Sequence, residues 1–124
     1  MKILILDDMQ ERHEAFSKKY KSPAYKLTHV ISAKKCIEAL EDEEFDMVCL
    51  DHDLGGKTFV TSGENTGYEV CEWITNNVDK VKDTPIVIHS YNPVGAKNMA
   101  KKLAEVKVYA FVLPGFWASK DKLF

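Results

Sequence analysis

Three groups of polar residues stand directly after apolar runs of the sequence. They are Asp7-Asp8 after residues 3–6, Asp51-His52-Asp53 after 47–50, and His89-Ser90 with Asn92 after 85–88. Carboxylates that share a pocket repel each other, and a hard divalent cation such as Mg²⁺ relieves the repulsion with oxygen ligands. Such a cation could orient a phosphate and stabilise its developing negative charge. If the fold joins the three groups, they predict metal-assisted chemistry on a phosphate.

Each of these side chains also has a purely structural interpretation. Asp8 could cap a helix, but three acidic segments that converge on one edge favour a metal site over capping alone. His52 and His89 could be ligands or acid–base groups, since imidazole titrates near ~6.5, or could simply bond to backbone. Ser90 could bond a phosphate oxygen, and as a nucleophile it lacks an evident triad. The helix start at Asn92 could help hold an anion.

Two further histidines lie outside these groups. His13 stands one turn into the first predicted helix, where it could reach the pocket or simply pack. His29 lies in a more polar run that predicts an edge strand, so we do not expect it to take part.

The elements that must position the groups alternate regularly along the chain. Five β-like runs are separated by helical patterns, at residues 3–6, 25–31, 47–50, 85–88 and 108–112. This alternation predicts a parallel sheet with right-handed crossovers, in which ligands bind at the carboxyl ends of the strands. Helix starts are predicted at Asp8 with Glu11, Ser32, Thr66 with Glu69, and Asn92 with Pro93.

Length, composition and charge narrow the class of protein. The 124 residues suit one domain over 1–124, and 45% hydrophobic with 29% charged residues is typical of a globular chain. A net charge of -2 argues against duplex nucleic-acid binding, whether sequence-independent or sequence-specific. No apolar run reaches the roughly 20 residues of a membrane span, and Asp7-Asp8 end the first run too early for a signal peptide. We therefore expect a cytoplasmic protein without a membrane partner.

The three cysteines predict no special chemistry. They are scattered among apolar neighbours, at positions 36, 49 and 71, and no pair has metal-ligand spacing. We interpret them as reduced thiols in the core.

The order of these motifs resembles the receiver domain of bacterial response regulators over nearly the whole chain. The matching segments are "ILILDD", "FDMVCLDHDLGG", "TGYEVCEWI" and "TPIVIHS". The resemblance implies a flavodoxin-like three-layer α/β sandwich with a five-stranded parallel sheet in the order 2-1-3-4-5. It also implies that Asp51 is the phosphoacceptor, and that Asp7, Asp8 and Asp51 hold Mg²⁺ with help from the backbone carbonyl of Asp53.

The sequence departs from that family in three places. Leu113 precedes Pro114 where the family has a lysine that binds the phosphoryl group, although Lys57 could substitute for it. The loop after Asp53 is longer than usual. Only "WASKDKLF" follows Phe116, which predicts a short or missing last helix and an undercovered sheet face. Trp117 and Phe124 could cover that face, or a partner chain could, and we favour a homodimer.

The segments "LDD", "LDHDLGG" and "HSYNPVGAKNM" further resemble a divergent branch found in phage and bacterial genomes, the cyclic-phosphate-processing receiver family. The resemblance implies a metal-dependent phosphoesterase that uses Mg²⁺ or Mn²⁺ on a cyclic nucleotide or RNA end. The implied roles are metal binding by Asp7, Asp8, Asp51 and Asp53, catalysis by Asp51, His52 and His89, and phosphate binding by Ser90 and Asn92. The alternatives are a stand-alone receiver phosphorylated on Asp51 and a non-catalytic binding module.

Overall fold

Five parallel strands form a single sheet in the computed structural model, which describes all 124 residues. The strands are β1 (Lys2–Leu6), β2 (Lys26–Val30), β3 (Met47–Leu50), β4 (Ile86–Ile88) and β5 (Phe111–Val112). Their spatial order is β2-β1-β3-β4-β5, and every neighbouring pair is parallel. The fold class and strand order expected from the resemblance are confirmed.

Four helices connect the strands. They are α1 (Gln10–Lys19), α2 (Ala33–Asp42), α3 (Gly67–Thr75) and α4 (Pro93–Ala104), with single 3-10 turns at Val78–Val81 and Phe116–Ala118. No helix is both long and apolar enough to cross a bilayer.

Two of the four predicted helix starts are confirmed in full. The Ser32 hydroxyl accepts a hydrogen bond from the Lys35 N–H at 3.2 Å. The Asn92 side chain accepts one from the Gly95 N–H at 2.9 Å, with Pro93 as the first helical residue. Both caps satisfy amides that have no acceptor inside the helix.

The two predicted capping boxes are wrong. Met9, and not Asp8, is the N-cap of α1, because the chain turns one residue later and the Met9 N–H bonds to Asp7. Thr66 does stand at the N-cap of α3, but its hydroxyl bonds back to the Gly63 carbonyl at 2.7 Å. The local turn before α3 therefore captures the side chain that the box would have used.

Alternate residues of the strands face two separate cores. One face carries Leu4, Val48 and Ile86, which pack under α2, α3 and α4. The opposite face packs against Phe16 and other residues of α1 and against the 3-10 turn at 116–118. The predicted three-layer arrangement follows from this pleat, since successive side chains of a strand point to opposite faces.

The three cysteines are buried and free, as predicted. Burial raises the pKa of the Cys36, Cys49 and Cys71 thiols above the ordinary value, because the core disfavours a thiolate. They are inert core residues in this fold.

The prediction of a short or missing last helix is confirmed, and an extended segment lies beside α1 in place of that helix. After β5 only the 3-10 turn forms, and the Phe116 ring within it is 2% exposed. The Lys19 ammonium donates to the Ser119 carbonyl at 2.5 Å, and the Tyr25 hydroxyl donates to the Phe124 carbonyl at 2.8 Å. These contacts hold the C-terminal segment (residues 116–124) across the face that a helix would cover.

Candidate functional site

Three polar side chains meet where the central strands end. Asp7 follows β1, Asp51 follows β3 and His89 follows β4, and all three are buried. Their ligand atoms lie within 4.8 Å of one another. We refer to Asp7, Asp51 and His89 as the acidic cluster. The predicted convergence of three distant segments is therefore present for one residue of each.

Asp7 is the well-compensated carboxylate of the acidic cluster. One oxygen accepts the Met9 N–H at 2.9 Å, and the other faces His89 Nε2 at 2.9 Å and the Arg12 guanidinium at 3.5 Å. Burial alone would raise the pKa of Asp7, but the bond and charge of His89, with Met9 and Arg12, hold the pKa below its ordinary value. Asp7 is therefore ionised at neutral pH.

Asp51 is the poorly compensated carboxylate. It accepts the His52 N–H at 2.8 Å and faces the Arg12 guanidinium at 3.2 Å. Burial raises the pKa of Asp51 to about 6, and the charge of Asp7 adds to this, although His89 and Arg12 oppose it. Ionised Asp51 thus places a second negative charge in a buried space.

The donor set of the acidic cluster fits a divalent cation. Two carboxylates and one imidazole nitrogen, close enough to reach a single point, are donor types found in such sites. The elevated pKa of Asp51 marks negative charge that the surrounding protein leaves partly unbalanced. The carboxylates alone suit Mg²⁺, whereas coordination by His89 would favour Mn²⁺.

Arg12 is the residue that the sequence interpretation missed. Its guanidinium touches both carboxylates of the acidic cluster, and it stacks 4.2 Å from the ring centre of Trp117 and 5.7 Å from that of Tyr91. Arg12 brings its positive charge to the acidic cluster from α1, whereas the receiver family carries its lysine at the end of the fifth strand. Arg12 is the only arginine in the sequence, and this was the one feature by which the sequence could have singled it out.

Neither residue considered for the missing lysine's role joins the acidic cluster. Leu113, at the lysine position, packs against the core on the α1 side. Lys57 lines the nearby cavity, but its ammonium makes no hydrogen bond or ion pair. The compensating charge therefore comes from Arg12.

Asp8 and Asp53 lie at the rim of the pocket and not within the acidic cluster. The Asp8 carboxylate accepts the Gly56 N–H at 2.6 Å. The Asp53 carboxylate accepts from His52 Nδ1 at 2.7 Å, from the Asn92 amide at 3.0 Å and from the Phe59 N–H at 2.6 Å. Burial would raise the pKa of Asp53, but these hydrogen bonds hold it below the ordinary value.

A cavity of about 530 Å³ opens beside the acidic cluster, which lines it through Asp51 and not through the fully buried Asp7 and His89. The predicted site residues that line it are Asp8, Asp51, Asp53, Ser90 and Asn92, with Arg12 and Lys57 as cations. The Ser90 oxygen accepts the Asn92 N–H at 3.0 Å, and its own O–H has no acceptor in the structure. The Asn92 side chain is instead occupied in capping α4 and in bonding Asp53.

The structure separates the two candidate histidines. His89 lies in the acidic cluster with its Nε2 on Asp7, while its buried Nδ1 has no hydrogen-bond partner. His52 is fully buried, and its ring nitrogens face Asp53 and the Ser62 hydroxyl, at 2.7 and 2.9 Å. Of these two histidines, only His89 therefore presents an imidazole nitrogen to the carboxylates of the acidic cluster.

His13 and His29 form a pair beside the site. His13 Nε2 lies 2.7 Å from the Asp7 carbonyl, and the two Nδ1 atoms lie 2.6 Å apart. A carbonyl only accepts, so His13 carries its proton on Nε2 and accepts at Nδ1 from His29. Burial and the charge of His13 lower the pKa of His29. His29, which we expected to be uninvolved, thus supports the backbone of Asp7 through His13.

Solved structures with the same fold are numerous. The CheY4 chemotaxis response regulator of Vibrio cholerae is 16% identical with a TM-score of 0.67, over 93% of this chain and 87% of that one. A CheY-like receiver domain of Methanospirillum hungatei is 16% identical with a TM-score of 0.68, over 92% and 81%. One from Methylobacillus flagellatus is 18% identical with a TM-score of 0.66, over 93% and 86%. At this identity the likeness shows the fold alone.

Sequence comparison is more specific than fold comparison here. No curated protein sequence is significantly similar to this chain. The sequence model described as "Cyclic-phosphate processing Receiver domain" matches residues 2–105, which include every strand except β5 and the whole acidic cluster. The chain belongs to the cyclic-phosphate processing receiver domain family.

Proposed function

We propose that this domain is a metal-dependent phosphoesterase that opens a cyclic phosphate on a nucleotide or an RNA end. The observation that carries the proposal is the acidic cluster, in which two buried carboxylates with opposite pKa shifts lie within 4.8 Å of one imidazole nitrogen. The family description supplies the class of substrate.

Asp7 and Asp51 would hold the cation, which leaves His89 Nε2 free for proton transfer. Asp8 and the backbone carbonyl of Asp53 stand close by in the chain and would complete the ligand set from the rim. A bound divalent cation would draw charge from the phosphate oxygens and favour attack at phosphorus. The carboxylates supply the charge that makes the pocket selective for a cation.

The phosphate itself would be held by residues that still have donors to offer. The Arg12 guanidinium is planar and can bond two phosphate oxygens once a cation takes over the carboxylates. The Ser90 O–H has no acceptor in the protein and lines the same cavity. Arg12 thus performs on a substrate the role that the family lysine would perform from position 113.

Proton transfer falls to His89 because of its position. In hydrolysis of a cyclic diester, a water loses a proton as its oxygen bonds to phosphorus, and one ring P–O bond breaks. The departing ring oxygen takes up a proton, so the product is a monoester with one free hydroxyl. His89 Nε2 is the imidazole nitrogen that can exchange these protons at the acidic cluster. His52 takes no part in this reaction, since its ring nitrogens face Asp53 and Ser62 and not the acidic cluster.

Turnover of cyclic phosphates tests this proposal. We expect hydrolysis of at least one of 2′,3′-cyclic nucleotides, 3′,5′-cyclic nucleotides or RNA ending in a 2′,3′-cyclic phosphate, in the presence of Mg²⁺ or Mn²⁺. Asp51→Asn should lower the rate by about 100-fold or more, because a metal ligand is lost. Asp79→Asn is the matched control, since Asp79 is exposed and lines a different cavity, beside Lys2 at the start of β1. A complete panel without turnover above the Asp51→Asn level would remove the enzyme proposal.

The fold favours one second candidate, a stand-alone receiver phosphorylated on Asp51. Asp51 follows β3 in a fold shared with response regulators. Intact-mass measurement after treatment with acetyl phosphate would show one added phosphate in that case, and no adduct would count against it. A protein that binds neither Mg²⁺ nor Mn²⁺ would instead be the non-catalytic binding module.

A further inference from the structure

A second constellation of reactive side chains lies in the long loop between β3 and α3. Ser62 Oγ lies 2.9 Å from His52 Nε2, and His52 Nδ1 lies 2.7 Å from the Asp53 carboxylate. Both distances are within hydrogen-bond reach. The three groups therefore form a continuous chain from a hydroxyl through an imidazole to an acid.

The direction of every proton in this chain follows from the acceptor at its end. An ionised carboxylate only accepts, so His52 donates to Asp53 through Nδ1–H. Neutral His52 then has an acceptor at Nε2, and the Ser62 O–H must donate to it. This is the arrangement in which a histidine activates a serine oxygen as a nucleophile.

Packing fixes the imidazole and the acid. His52 is fully buried, and a Cβ added to Gly95 would lie 2.4 Å from its ring. Asp53 is held by the Asn92 amide and the Phe59 N–H at 3.0 and 2.6 Å. The base and its orienting acid therefore have little freedom to change geometry.

Ser62, in contrast, is open to a substrate. It is half-buried and lines a cavity of about 610 Å³ between the loop and the start of α4. The Asn98 amide donates to its oxygen at 3.0 Å. The hydroxyl thus reaches a cavity, whereas the imidazole behind it is fully buried.

The same cavity has groups suited to an acyl substrate. Its apolar lining residues are Phe59, Val60, Pro93 and Val94. Phe59 and Val94 are 73% and 68% exposed, which leaves an apolar rim for a short acyl chain. The Val94 N–H belongs to the first turn of α4, where an N–H has no acceptor within the helix, and such a donor beside the cavity suits a developing oxyanion.

We propose that Ser62, His52 and Asp53 form a serine-hydrolase site for carboxylic esters with a small apolar acyl group. The Ser62 oxygen bonds to the carbonyl carbon as its proton passes to His52 Nε2. The C–O bond to the alcohol then breaks, and the alcohol leaves with that proton. Water delivers a proton to His52 and its oxygen to the acyl carbon, and Ser62 departs with the proton. The sum is ester plus water giving acid plus alcohol.

Labelling with a fluorophosphonate probe tests the site directly. Such a probe forms an Oγ–P bond as its P–F bond and the serine O–H bond break, so intact mass should rise by one probe minus HF and peptide mapping should place it on Ser62. Ser62→Ala should abolish the adduct. His52→Gln and Asp53→Asn should slow labelling and hydrolysis of p-nitrophenyl butyrate by about 100-fold or more. Thr61→Ala, an exposed neighbouring hydroxyl, is the control that should keep both.

Three outcomes would overturn the proposal. They are no adduct on the wild-type protein, an adduct that Ser62→Ala leaves in place, and labelling of Ser62 that His52→Gln and Asp53→Asn do not slow. Near-UV circular dichroism of each variant establishes that it is folded, and Ser62→Ala removes only one half-buried oxygen. Labelling should persist in EDTA, which separates this site from the metal-dependent one.

Discussion

Asp7 and Asp51 are the same residue type in the same pocket, yet their pKa values move in opposite directions. Asp7 receives His89 and the Met9 amide, whereas Asp51 receives one backbone amide and a share of Arg12. The difference between them is therefore set by hydrogen-bond partners more than by burial. A bound cation would therefore stabilise ionised Asp51 more than Asp7, because the protein compensates less of the charge on Asp51.

Replacing Asp51 should stabilise the protein without metal at neutral pH. The unfolded carboxyl loses its proton near 3.8 and the folded one near about 6. Between these values the folded state holds the proton more tightly, so stability falls as pH rises from about 4 to 6 and stays lower above. The raised pKa corresponds to at most about 3 kcal/mol. Asp51→Asn should therefore unfold at a higher temperature than the wild type at pH 7.5 in EDTA, and the gap should close near pH 4.

Thermal unfolding followed by circular dichroism across pH measures this effect. Asp79→Asn, an exposed carboxylate, should show no such pH-dependent gap. A lower midpoint for Asp51→Asn at pH 7.5 would mean that its contact with Arg12 outweighs the burial of the charge.

At the residue scale the sequence predicted which strand ends meet, but not which way each neighbouring side chain turns. Asp7 and Asp51 meet in the acidic cluster, while Asp8 and His52, one residue further, turn to Gly56 and Ser62. Alternation along an extended chain explains the difference, since adjacent side chains diverge. Arg12 was missed because a helix, and not a strand end, delivers it.

At the element scale the joint between β3 and α3 is the tightest packing around the site. The Gly67 N–H bonds to the His52 carbonyl at 2.9 Å. A Cβ added to Gly67 would lie 1.9 Å from the Asp51 carbonyl oxygen and 2.7 Å from the Met99 side chain. The helix can therefore approach the strand only where a side chain is missing.

Gly67→Ala should be strongly destabilising. The methyl group collides with backbone, so the β3–α3 joint must open, at a cost of about 3 kcal/mol. Gly63→Ala is the matched control, because a Cβ there meets nothing within 4 Å. Urea denaturation of both variants measures the difference, and equal midpoints would show that the joint yields easily.

The elements themselves were predictable because their patterns are local, whereas their ends depend on neighbours. Periodicity located four helices and five strands, but the last strand is Phe111–Val112 and not 108–112. β5 has a partner on one side only, and both of its residues are exposed. The run 108–112 is apolar throughout, so its pattern predicts a longer strand than the two residues that pair with β4.

At the scale of the whole molecule, the C-terminal segment covers α1 where a last helix would otherwise pack. Phe116 packs against Phe16 and Tyr20, and Lys19 anchors the segment through the Ser119 carbonyl. The sequence indicated a short or missing last helix and offered Trp117 and Phe124 as residues that could cover the exposed face. Trp117 does pack against this core, whereas Phe124 is 52% exposed and contributes its backbone carbonyl to Tyr25. The expected homodimer remains a prediction, which analytical ultracentrifugation can check.

Phe116→Ala should cost about 3 kcal/mol of unfolding free energy, because it removes a ring that is 2% exposed. Phe111→Ala is the matched control, since that ring is 49% exposed, and its loss should cost under about 1 kcal/mol. Equilibrium urea unfolding gives both values. Similar losses for the two variants would show that the C-terminal segment contributes little to the fold.

The stacking of Arg12 on Trp117 links the C-terminal segment to the acidic cluster. The indole that covers the guanidinium is one of only two in the molecule, and the other, Trp73, lies on α3 under the opposite face of the sheet. Indole emission is sensitive to a nearby cation, and so to any ion or ligand that draws the guanidinium away. The fluorescence of Trp117 should therefore report whether an ion or ligand occupies the pocket, without any added label.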